Sequence, residues 1–92
     1  MQYYLIEWEE ATDDETWELY LEIDRHGCQA RRVEVYRAGL YQAFEAPYED
    51  IPVDPAEEAQ DGGKVYQIDR NQFENIWNQS REVSDGLMGM FF

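Results

Sequence analysis

Between Trp17 and Glu45 the chain reads WELYLEIDRHGCQARRVEVYRAGLYQAFE, a pattern that few folds accommodate. Trp17, Leu19, Leu21 and Ile23 alternate with Glu18, Tyr20 and Glu22, the period of two expected of a strand with one face buried and the other wet. Val33 and Val35 mark the buried face of a second strand. With Arg25, His26 and Gly27 as a three-residue loop and Gly27 in the left-handed conformation, Leu19 falls opposite Val33 and Trp17 opposite Val35. A two-residue loop sets Leu19 against Arg32, so the hydrophobic pattern favours the longer turn. A second turn at Ala38-Gly39 predicts Val33 opposite Phe44, Tyr36 opposite Tyr41 and Arg32 opposite Glu45, a compatible cross-strand set.

The flanking segments extend this sheet. Residues 2–9, QYYLIEWE, form a first strand with Tyr4, Ile6 and Trp8 on one face and Tyr3, Leu5 and Glu7 on the other; large apolar groups on both faces predict a strand that is central or partly covered on both sides. Lys64 to Ile68 supply a further short strand. Asp69 then caps a helix over 69–80, with Gln72 completing an aspartate version of the capping box. Phe73, Ile76 and Trp77 lie at helical spacing and form the stripe that closes over the sheet. The expected fold class is α+β: an antiparallel sheet of four to five strands packed against one C-terminal helix, in a single domain spanning 1–92.

Two stretches stand apart. Residues 46–63, APYEDIPVDPAEEAQDGG, break the strand pattern with prolines and carboxylates and read as an acidic surface loop. Asp54 before Pro55 predicts one helical turn at 55–60, stopped by Gly62 and Gly63. Tyr48, Ile51 and Val53 are placed to pin the loop to the body. The apolar tail at 86–92, with Leu87, Met88, Met90, Phe91 and Phe92, either folds back as an edge strand, the expectation here, or meets another chain.

The residues that carry chemistry are sparse. Cys28 stands without a second cysteine for a disulfide, and with His26 as the sole histidine it excludes a conventional zinc site from one copy. Cys28 reads as a small packed residue and His26 as a turn residue. Asp13, Asp14 and Glu15 read as a solvated loop, because a calcium loop's glycine and distal glutamate are missing from that spacing. Arg31, Arg32 and Arg37 are expected to be neutralised across the sheet by Glu18, Glu34 and Glu45. No nucleophile with a base, metal set or spaced carboxylate pair is found, so neither an enzyme nor a cofactor is expected. With no signal segment and no membrane-spanning apolar run, a soluble cytoplasmic protein is expected.

Several spaced elements, YYLIEW at 3–8, YLEIDRHGCQARRVEVYRAG at 20–39 and FENIW at 73–77, together resemble a family of small acidic bacterial domains of unknown function. The recurring features are a tryptophan-bearing first strand, an R-x-V-E-V-Y-R-x-G strand and turn, and an F-x-x-I-W helix. The resemblance covers residues 3–77 and implies this fold and a bacterial or phage origin, with no chemistry to carry over.

Charge supplies the functional expectation. Twenty-one acidic residues against seven basic ones give a formal charge of −14, a field that repels nucleic acid and anionic membrane and attracts a cationic protein. The expected function is therefore that of an immunity-type or phage-encoded inhibitor, mimicking nucleic acid to block a basic, nucleic-acid-handling protein. Its expected partner-binding residues are Tyr48, Glu49, Asp50, Asp54, Glu57, Glu58 and Asp61. The alternative is an accessory module that homodimerises through the tail, with the charge serving solubility only.

Overall fold

A computed structural model describes residues 1–45, 52–60 and 62–89, with side chains through Arg81. The fold is α+β. Strands β1 (Gln2–Glu7), β2 (Thr16–Ile23), β3 (Gln29–Tyr36), β4 (Tyr41–Glu45) and β5 (Lys64–Ile68) form one antiparallel sheet in the order β4-β3-β2-β1-β5. A short helix α1 (Pro55–Glu58) precedes β5, and a long helix α2 (Arg70–Gly89) follows it. β1 is an inner strand, as its two-sided apolar content predicts.

Both hairpins turn in the same way. Asp24 N–H donates to the Cys28 carbonyl and Gly27 N–H to the Asp24 carbonyl, while Gly27 adopts φ +80°, where a side chain would be strained. The Arg25–Gly27 loop is therefore the expected one, yet the register changes one step along the strands. Ile23 faces Gln29 but Glu22 faces Arg31, so Ala30 is left over as a bulge. Leu19 consequently lies opposite Glu34, not Val33, and Tyr20 takes the place opposite Val33. Trp17 is a second unpaired residue, between Thr16 opposite Tyr36 and Glu18 opposite Val35.

The bulge changes what the alternation means. Leu19, Leu21 and Ile23 pack with Ile6 on one face, partly covered by Trp8, Val53 and Ala59. Val33 and Val35 pack with Tyr3, Phe73 and Trp77 on the other face, joined by Trp17, Tyr20 and Ile76. The β2 face expected to be wet is thus the one beneath α2, and Glu22 on it is only 5% exposed. One extra residue sends the apolar sets of β2 and β3 to opposite faces, and the sheet buries both.

The second turn also differs from expectation. Tyr36 N–H donates to the Leu40 carbonyl and Gly39 N–H to the Tyr36 carbonyl, so Arg37, Ala38 and Gly39 form a three-residue loop in place of a two-residue one. Val33 therefore pairs with Ala43 instead of Phe44, Arg32 with Phe44, and Arg31 with Glu45, while Tyr41 lies opposite Val35 instead of Tyr36.

The arginines are neutralised differently as well. Arg31 binds Glu22 and Glu74, and Arg32 binds Glu34 and Glu58. Arg37 donates to the Glu9 carbonyl and lies over the Trp17 ring, 5.3 Å from its centroid. Of the three glutamates expected to act across the sheet, Glu34 binds Arg32, but as a neighbour two residues along β3 itself.

Helix α2 begins at the predicted capping box. Asp69 N–H donates to Gln72 Oε1 at 2.9 Å, and Gln72 N–H donates back to Asp69 Oδ1 at 2.8 Å. Phe73 and Trp77 are buried and Ile76 packs beside them. The helix runs past the expected end at Ser80, because no proline follows and an interior glycine such as Gly86 disfavours helix by only about 1 kcal/mol. Residues 86–89 are therefore helical, contrary to the expected edge strand, and residues 90–92 lie outside the described ones. Among the described residues, no helix is long and apolar enough to cross a membrane.

One strain remains within the sheet. Glu18 lies directly opposite Glu7, and burial together with that neighbouring carboxylate pushes Glu18 above the usual carboxylate range. Its neutral form is favoured by folding, so its contribution is full below the unfolded value of about 4.3 and lost as pH rises through the higher folded value. Glu18→Gln is expected to melt at a higher temperature than the parent at pH 7, with the gain shrinking towards pH 4. Thermal unfolding of both proteins across this range checks the prediction.

Candidate functional site

The turn between β1 and β2 is built from side chains that bind their own backbone. Thr12 donates through both its hydroxyl and its amide to Glu15 Oε1, and Glu15 N–H donates to the Thr12 carbonyl. The Thr12 hydroxyl first, and its amide second, hold the Glu15 carboxyl below its usual range. Glu9, Glu10, Asp14 and Glu15 are all exposed acids on this one turn.

Helix α1 is brought against this turn from far along the chain. Asp54 caps it, accepting from Ala56 N–H at 3.0 Å with Pro55 in the first helical position, as its sequence predicts. Val53 N–H donates to the Gly27 carbonyl, and the side chains of Val53 and Ala59 pack against the Ile6–Leu19–Leu21–Ile23 cluster. The Trp8 indole N–H donates to the Gln60 carbonyl at 2.8 Å, and Gly63 N–H to the Ala59 carbonyl at 3.0 Å. Gly63 permits this approach: a Cβ there would stand 2.7 Å from Trp8 Nε1 and 2.9 Å from the Ala59 backbone. Gly63→Ala is expected to cost about 1–3 kcal/mol through overpacking. It should also free the Trp8 indole, seen as faster exchange of its N–H by NMR.

Between the turn and α1 lies an open groove of about 1070 Å³. Its walls carry Glu9, Glu10, Asp14, Glu15, Glu57 and Glu58, with Trp8 and Tyr36 between them and Lys64 as the only cation among the described lining residues. Lys64 is bound to Glu9 at 3.1 Å, and Glu58 lies 3.7 Å from Arg32. Glu10, Asp14, Glu15 and Glu57 have no ion pair among the described residues. Nor do any three described carboxylates, histidines or cysteines converge closely enough to hold a metal ion. Spread along two walls, these acids form a surface suited to several separated positive charges. A second hollow, of about 780 Å³, balances Arg31 and Arg70 against Glu22 and Glu45 and has no comparable polarity.

Of the expected partner-binding residues, Glu57 and Glu58 line the groove. Asp54 is exposed but serves as the α1 cap outside the groove lining, while Tyr48, Glu49, Asp50 and Asp61 lie outside the described residues. The wall contributed by Glu9, Glu10, Asp14 and Glu15 was not anticipated. Its signal was the density of acids at 9–15, which reads as an ordinary solvated turn until α1 is placed against it.

The fold and the groove together define an α+β domain with a two-faced antiparallel sheet and an acidic cleft at one end. Residues 2–82 match the family described as Domain of unknown function (DUF6881), and the chain belongs to that family. No curated protein and no solved structure gives a match.

Proposed function

We propose that this chain is a protein-binding domain whose acidic groove takes a cationic surface of another protein. In this reading it is a bacterial or phage inhibitor of the immunity type, and it occupies the surface with which a basic partner would hold nucleic acid. The observation that carries the reading is the composition of the groove: six carboxylates and a single lysine among its described residues, on two walls joined by the Trp8–Gln60 hydrogen bond. Such a cleft concentrates negative potential and attracts positive charge at long range.

The test is affinity capture from bacterial lysate with the full chain, run beside a variant carrying Glu9→Gln, Glu10→Gln, Asp14→Asn and Glu57→Gln. These residues are exposed, so the variant should fold. The reading expects basic, nucleic-acid-handling proteins to be retained by the parent and lost by the variant. Identical captured sets from the two proteins would remove it.

A further inference from the structure

β5 is an edge strand whose outer side pairs with no other strand among the described residues. It pairs with β1 through five consecutive residues, from Lys64 opposite Glu7 to Ile68 opposite Tyr3, without a bulge. Lys64 to Gln67 are all exposed. Val65 and Tyr66, adjacent and hence on opposite faces, are 41% and 45% exposed, which for an edge strand is an unguarded apolar pair. Proline, bulges and inward charges usually blunt such edges, and here the single charge is Lys64, already engaged by Glu9. Lys64 also lines the acidic groove, so the uncharged run from Val65 to Ile68 leads at that end into a cleft of carboxylates.

We propose that the cationic partner docks by adding an extended segment to the outer edge of β5, its basic residues running on into the groove. This rests on the groove reading above and names the form of the ligand. Main-chain hydrogen bonds along β5 give affinity without sequence preference, and Val65 and Tyr66 each meet alternate side chains of the added strand. Charge complementarity sets the register. Antiparallel addition, the pattern of the whole sheet, makes the incoming strand run towards Lys64, so the matching segment is an alternating apolar and polar strand followed by arginines or lysines.

The probe is a synthetic peptide of alternating threonine and valine ending in three arginines. It is compared with one in which prolines replace the central valines and one ending in three glutamates. Fluorescence anisotropy with the full chain is expected to show the first binding at least ten-fold more tightly than either control and slowing amide exchange across 64–68. A Val65→Thr, Tyr66→Thr variant keeps strand propensity and the main-chain ladder, so it should lose only the side-chain part of that advantage while binding the proline peptide as the parent does. Equal binding of the two arginine peptides would overturn strand addition and leave the groove reading standing. Failure of both to bind, or equal binding of the glutamate peptide, would overturn the two together.

Discussion

Trp77→Ala lowers the free energy of unfolding by about 3–5 kcal/mol, the range for removing a large buried aromatic. Trp77 is 6% exposed and stacks on Phe73, with ring centroids 6.4 Å apart and planes 15° from parallel. Phe73 in turn meets Tyr3 on β1 at 5.4 Å, so this pair joins the helix to the inner sheet. Isolated helices draw little stability from propensity, and α2 depends on this stripe. Trp77→Phe retains much of the buried area and should lose less. Denaturation midpoints of the alanine variant equal to the parent's would contradict the packing described.

Arg31→Met has an effect of similar size by a different route. The guanidinium lies 4.9 Å from the Phe73 centroid and 5.0 Å from that of Trp77. Its Nε and Nη2 bind the two oxygens of Glu22 at 2.8 and 2.6 Å, and Nη2 also reaches Glu74 on α2. The cation thus ties α2 to β2 through two carboxylates. Methionine fills the space but leaves the buried Glu22 charge without its partner, which costs about 3–5 kcal/mol. Adding Glu22→Gln removes that charge and should recover a large part of the loss, a coupling that a double-mutant cycle measures. Acid tests the Glu74 contact. The hydrogen bond from Arg31 holds Glu74 below the usual range, so its contribution is full above the unfolded value of about 4.3 and lost as pH falls through the lower folded value. Arg31→Met should lack that component of acid destabilisation; an unchanged acid profile would show that the Glu74 contact contributes nothing.

The parts of this fold legible in the sequence are those fixed by neighbours along the chain. The Asp69–Gln72 box, the Asp54–Pro55 start of α1, the loop closed by Gly27 and the Phe73–Ile76–Trp77 stripe each depend on a few adjacent residues, and all stand where the spacing places them. The register of β2 against β3 depends on something longer in range. Ala30 is pushed out because doing so buries Leu19, Leu21 and Ile23 on one face and Val33 and Val35 on the other, a gain that no local pattern records. Reading β2 as one-sided also hid Glu22, whose burial makes sense only once Arg31 and α2 are in place. The groove divides along the same line: Glu57 and Glu58 belong to a recognisable acidic turn, whereas Glu9, Glu10, Asp14 and Glu15 become its second wall only through Trp8, Gln60 and Gly63.

The central claim is that this groove draws in a cationic protein, and the association rate tests it most directly. The chain is mixed with the partner identified by capture at about 0.01 M and then about 0.15 M salt, across which the screening length falls from about 30 Å to about 8 Å. A steered encounter should slow at least ten-fold over that interval. The variant with Glu9, Glu10, Asp14 and Glu57 replaced by amides should start slower and respond less to salt. A rate that is the same at both salt concentrations and in both proteins would contradict the account, because the carboxylates along the groove would then take no part in the encounter.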